Sequence, residues 1–294
     1  MSFTTRSPIV VGLDGSPSSD AALAWATDAA RRLRAPMRLI HAIDLTRYAG
    51  RWQDLTPAVD TQREQARSVL APALAGLKYG ELAIESYVEL GRPAAILLEQ
   101  SANAQLVVVG SRGHGDLVGL LLGSTSLQVA MHAHCPVIVV REPLPGQEPG
   151  RSAGRVVVGV DGTEVSEAAI RFAFEEADTR RLGLTALHAW QLPDAEFEVA
   201  LPAEWAAAQE RERAVLAERL AGWGEKYPDV DVIHKTRRAD PASALVTESA
   251  GAALTVVGSR GAGGFRGLLL GSVSHAVLHH AGSPVAIVRT GDAT

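Results

Sequence analysis

Val107-Val108-Val109-Gly110-Ser111-Arg112-Gly113 opens the stretch that decides the fold, and Gly123-Ser124-Thr125-Ser126 closes it. A β-branched apolar run of strand length meets a glycine-rich loop, and the loop meets a helix start. The same passage returns as Thr255-Val256-Val257-Gly258-Ser259-Arg260-Gly261 and Gly271-Ser272-Val273-Ser274. Between residues 107–126 and 255–274, 14 of 20 positions are identical, so the chain is a tandem repeat.

Outward from this stretch the correspondence continues. Val11-Gly12-Leu13-Asp14-Gly15 matches Val158-Gly159-Val160-Asp161-Gly162, His41-Ala42 matches His188-Ala189, and Cys135-Pro136-Val137 matches Ser283-Pro284-Val285. A Pro- and Gly-rich segment, residues 142–154, reads as the linker between a first domain of residues 1–141 and a second of 155–294. In the first half, strands are predicted at residues 9–13, 37–43, 82–88, 106–109 and 136–140, and helices at 18–34, 57–77, 93–101 and 124–132. The second half repeats this order from Val156 to Val288. Short apolar strands alternating with helices predict an α/β fold of two doubly wound, Rossmann-like parallel sheets, one per repeat.

Composition narrows the function. The 294 residues carry a formal net charge of -5, which offers no general basic surface to nucleic acid. No apolar run is long enough to span a bilayer, and the first residues lack a signal-peptide core, so a cytoplasmic protein is expected. The single cysteine, Cys135, excludes an intrachain disulfide and fits a reducing compartment.

In a doubly wound sheet, ligands sit beyond the carboxyl ends of the strands, where strand order reverses. Two features fall there in each half: an aspartate after the first strand, and Gly-x2-Gly, nine residues, Gly-Ser after the fourth. Glycine admits positive φ and close approach of a ligand to backbone. Gly123-Ser124 and Gly271-Ser272 stand at helix N-termini, where free N–H groups and the dipole suit phosphate. No Gly-Lys-Ser/Thr follows, so this is no Walker loop. The glycines come too late in the domain, and at the wrong spacing, for the dinucleotide fingerprint.

The spacing matches the glycine motif of the nucleotide-binding universal stress proteins, and both halves resemble that family from first strand to last, in the tandem layout of its actinobacterial members. The resemblance implies five-stranded parallel sheets of order 3-2-1-4-5 and binding of ATP, with Mg²⁺ entering alongside the phosphates. Carried over by position, Asp14 and Asp161, following Gly12 and Gly159, correspond to residues near the ribose. Ala42 and Ala189 correspond to the backbone edge facing adenine, and Val109-Gly110 and Val257-Gly258 to the floor of the site. Gly113, Gly123, Ser124 and Thr125, with Gly261, Gly271, Ser272 and Val273, correspond to the phosphate cradle, and Arg112 and Arg260 are candidates to reach it. The expected partners are two adenine nucleotides per chain and a second copy of the chain, with no nucleic acid and no membrane.

Other features read more plainly. His132-Ala133-His134-Cys135 resembles a metal fragment, but its repeat loses the thiol and the spacing, so no metal site is expected. Cys135 as a nucleophile fails because Ser283 replaces it. His41 and His188 are expected to be structural, and Glu210-Arg211-Glu212-Arg213 to be a solvated helix face. Residues 44–56 and 191–202, with Trp52 and Phe197, are long enough to cover a bound base. A nucleotide-binding stress-response regulator with no catalytic residues is therefore expected. An adenylate-forming or phosphoryl-transfer enzyme would need a catalytic Lys or His motif, and a nucleotide-free interaction module would not need intact glycine motifs.

Overall fold

Apolar runs such as Ile9-Val10-Val11 have no polar face to present to water, so they become strands covered on both sides. The computed structural model describes residues 7–44, 55–76, 82–113, 122–141, 152–163, 166–191, 202–261 and 270–289. The two long loops with Trp52 and Phe197 lie mostly, and both of those aromatics entirely, outside the described residues. The chain divides into two units, Met1–Glu142 and Pro143–Thr294.

The first unit runs β1 (Ile9–Gly12), α1 (Pro17–Leu33), β2 (Met37–Ile43), α2 (Leu55–Gly76), β3 (Ile84–Leu90), α3 (Pro93–Ser101), β4 (Leu106–Gly110), α4 (Ser124–His132) and β5 (Val137–Val140). Its strands are ordered β3-β2-β1-β4-β5 and pair with one another in parallel. Crossovers run one way from β1 through β3 and the other way from β4, so right-handed connections put their helices on opposite faces. α1 is fixed at its start by Ser16, whose hydroxyl accepts from Ser19 N, and by Pro17 in the first turn. It buries Ala22, Ala26, Ala29 and Ala30 against the sheet, small residues that let the helix come close. It ends at Arg34, in the left-handed conformation at φ 49°.

The second unit runs β6 (Val156–Gly159), α5 (Glu167–Arg180), β7 (Leu184–Trp190), α6 (Pro202–Leu220), α7 (Trp223–Lys226), β8 (Val232–Arg238), α8 (Pro241–Glu248), β9 (Leu254–Gly258), α9 (Ser272–His280) and β10 (Val285–Val288). The order β8-β7-β6-β9-β10 repeats the first. Trp190 is buried beside Trp205, and Trp223 stacks on Phe174 at 5.3 Å between centroids, so these aromatics serve packing.

The third strand departs from expectation. It spans Ile84–Leu90, two residues later than the apolar pattern of 82–88 predicts. Its register runs from Met37↔Ile84 to Ile43↔Leu90, so β2, the only neighbour it pairs with among the described residues, dictates where it starts and ends. Half-exposed edge strands carry too weak a pattern to mark their own ends.

Candidate functional site

Strand order reverses between β1 and β4 in the first unit, and between β6 and β9 in the second. Beyond their carboxyl ends the repeated motifs meet. In the first unit all ten residues singled out from the sequence line one cavity of about 660 Å³. That size suits a small-molecule ligand. Helix α2 adds Gln62, Gln65, Ser68 and Val69 to its wall, residues that no motif marks.

The aspartates are held in matching turns. Asp14 Oδ1 accepts from Ser16 N at 3.0 Å, and Asp161 Oδ1 from Thr163 N at 3.0 Å. Their other oxygens face the loop glycines. A Cβ on Gly113 would lie 2.6 Å from Asp14 Oδ2, and one on Gly261 would lie 2.9 Å from Asp161 Oδ2. The second glycine of the motif therefore makes room for the strand-end carboxylate.

The first glycine has a different reason from the one expected. A Cβ on Gly110 would sit 2.6 Å from Ser18 C and 2.7 Å from Ser18 O, so helix α1, not a ligand, excludes a side chain there. Gly12 and Gly159 likewise admit neighbouring helices: Leu97 of α3 and Leu245 of α8 lie 3.0 Å and 2.9 Å from their missing Cβ atoms. Gly123 and Gly271 precede α4 and α9 at φ −75° and −73°, so neither needs the positive φ that glycine permits. A Cβ on Gly271 would meet nothing closer than Arg260 Cα at 3.6 Å. The protein itself leaves that space, directly before a helix N-terminus with no side-chain cap.

The two cradles are braced identically. Gly123 N donates to Ser111 O at 2.7 Å and Gly271 N to Ser259 O at 2.8 Å. Ser126 Oγ donates to Gly110 O and Ser274 Oγ to Gly258 O, both at 2.6 Å. These four serines, two in each unit, tie the helix start to the strand end. Sequence reasoning passed over them, although identity between the repeats marked all four. The Arg112 carbonyl accepts from Ser18 Oγ and, at 3.3 Å, from Ser16 Oγ, while its side chain is exposed.

Arg141, after β5, is a second missed residue. It is buried, and burial first and the Arg112 guanidinium second lower its pKa to about 10. It stays charged at neutral pH, near enough to Arg112 for the two cations to repel. His41 lines the cavity, and burial pushes its pKa down against the Leu13 carbonyl and the Asp14 charge. Glu212 is not the solvated charge expected of it: its Oε2 lies 2.8 Å from His188 Nε2. Cys135 is buried, and no cluster of three metal-ligating side chains occurs among the described residues. Among those residues no helix is long and apolar enough to cross a membrane.

The model of the family described as "Universal stress protein family" matches residues 5–141 and 153–289. The chain is 39% identical to the universal stress protein Rv2623 of Mycobacterium tuberculosis (strain ATCC 25618 / H37Rv), over 96% of each chain. It is 41% identical to Rv2005c of the same strain, again over 96% of each. The crystal structure of a universal stress protein from Archaeoglobus fulgidus DSM 4304 shares the fold, with a TM-score of 0.67 at 19% identity, covering 98% of this chain and 99% of that one.

Proposed function

The chain belongs to the universal stress protein family, and from that premise we propose that each of its two units binds one adenine nucleotide, ATP, as a regulatory ligand. One observation carries the reading: a helix N-terminus without a side-chain cap, preceded by glycine, and a strand-end carboxylate facing the loop glycine recur together in both units. The N–H groups at the start of α4 and α9 would hold phosphate oxygens, helped by the positive end of the helix and by Arg112 and Arg260. Asp14 and Asp161 would accept from ribose hydroxyls, and the main chain at Ala42 and Ala189 would face the base. ATP would supply the negative charge that this cradle is built to receive, with Mg²⁺ shared among its phosphates.

The nucleotide acts as a signal rather than a substrate in this reading. The described cradle offers hydrogen-bond donors and cations that would hold bound phosphate in place. Mass spectrometry of the denatured purified protein, followed by titration of the stripped chain, tests the proposal. Co-purified ATP and a stoichiometry of two per chain are expected. Steady-state turnover at ordinary enzyme rates would favour a phosphoryl-transfer enzyme. No nucleotide and no binding would favour a pure interaction module.

A further inference from the structure

His41 and His188 occupy the same place in the two repeats, on β2 and β7 beside the strand-end aspartates, yet their surroundings differ. His188 is buried, with Nδ1 2.7 Å from Val160 O and Nε2 2.8 Å from Glu212 Oε2 on α6. Both ring nitrogens therefore lie within hydrogen-bond distance of a protein oxygen. Its two polar atoms are used within the protein. His41 instead lines the cavity of the first unit, and its ring meets the Leu13 carbonyl, which stands where the second unit has Val160.

The difference originates one helix away. Arg67-x-Val69-Leu70-Ala71-x-x-Leu74-Ala75-Gly76 aligns with Arg213-x-Val215-Leu216-Ala217-x-x-Leu220-Ala221-Gly222, which places Ala66 where the second unit has Glu212. Ala66 is fully buried and brings no carboxylate to His41. In the second unit α6 also seats directly on the turn after the strand-end aspartate: Val215 Cγ1 lies 2.9 Å from where a Cβ of Gly162 would stand.

Resting on the two-site reading above, we propose that the sites are unequal by construction: His41 contacts the nucleoside end of the ligand in the first unit, whereas Glu212 withdraws its counterpart, His188, from the ligand in the second. His41 neighbours Ala42 and Asp14, the base-facing and ribose-facing positions. With one donor and one acceptor, its neutral ring suits a ribose hydroxyl or a ring nitrogen of the base rather than phosphate. The first site thus has a specificity contact that the second lacks.

The test uses the stripped full-length chain with one site silenced at a time, Gly271→Val to isolate the first and Gly123→Val to isolate the second, and calorimetric titration with ATP. His41→Ala should weaken the first site about three- to tenfold, the worth of one neutral hydrogen bond. His41→Gln, which keeps a donor and an acceptor, should recover part of the loss. His188→Ala should leave the second site's affinity within about twofold, and Glu212→Ala, which frees His188, should tighten it. Melting curves without ligand check that each variant is folded. An unchanged first site in folded His41→Ala, or equal losses from His41→Ala and His188→Ala, overturns the inference while the nucleotide reading stands. If neither silenced parent binds ATP at all, the nucleotide reading falls and takes this inference with it.

Discussion

Gly271→Val separates the cradle's use from its fold. At φ −73° and ψ 159° the backbone is in the β region, where a β-branched residue is at ease. The new Cβ would have ordinary contacts, with Arg260 Cα at 3.6 Å and Gly261 N and Ser274 Oγ at 3.7 Å. The cost to the unliganded protein is the poorer helix start, since glycine is a better N-cap than valine, about 1 kcal/mol. That corresponds to a fall of about 2–4 °C in melting temperature for a unit of this size. The cost to binding is larger. The branched side chain stands before the N–H groups of Ser272, Val273 and Ser274, and each lost charge-assisted hydrogen bond costs about 1.5–3 kcal/mol. Losing two weakens the site by a factor of more than about a hundred. Calorimetric titration of stripped protein that also carries Gly123→Val reads the second site alone. A folded double variant that binds ATP within threefold of the Gly123→Val parent would refute the placement of phosphate at the start of α9.

Gly110→Ala should do the opposite, destabilising the first unit by about 1–3 kcal/mol because Ser18 backbone atoms lie 2.6 and 2.7 Å from the new Cβ; an unchanged melting temperature would show that α1 is not seated there. Asp14→Asn keeps the acceptor for Ser16 N but removes the charge, so ATP affinity at the first site should fall about tenfold with little change in stability, read by titration of a Gly271→Val background. His41 sets an acid limit: its folded pKa lies below the unfolded value, so the unfolded chain binds more protons between the two. Stability should therefore fall as pH drops from about 6.5 toward the folded pKa, and urea titrations of His41→Gln should show a flatter dependence, Asp14 and the Leu13 carbonyl being the groups that oppose the shift. Glu248 is held below its ordinary range by Lys235 and Ser152 hydrogen bonds despite burial, so it stabilises above about pH 4.5 and less below. Glu248→Gln should cost up to about 3 kcal/mol at neutral pH by leaving Lys235 without its carboxylate, and an equal loss at pH 3 and pH 7 would refute the ionic account.

The tandem organisation, the alternation of strands and helices and the positions of the aspartates and glycines were all legible in the chain, because each is a local pattern or a repetition of one. Resemblance to a family supplied the strand order that local pattern leaves open. What local pattern could not carry was the reason behind each residue. Gly110 is glycine because Ser18 of α1 lies against it, Gly113 because the Asp14 carboxylate does, and Gly271 for neither a positive φ nor a clash. Arg141 sits near enough to Arg112 to lower its pKa, an interaction across residues far apart in sequence. The charged run containing Glu212 reads as solvent-facing until the helix is docked, when one of its carboxylates meets His188 and the aligned Ala66 leaves His41 to the cavity. Sequence periodicity records which face of an element is apolar; which atoms meet across two elements depends on sheet order and helix seating, and those are properties of the folded units alone.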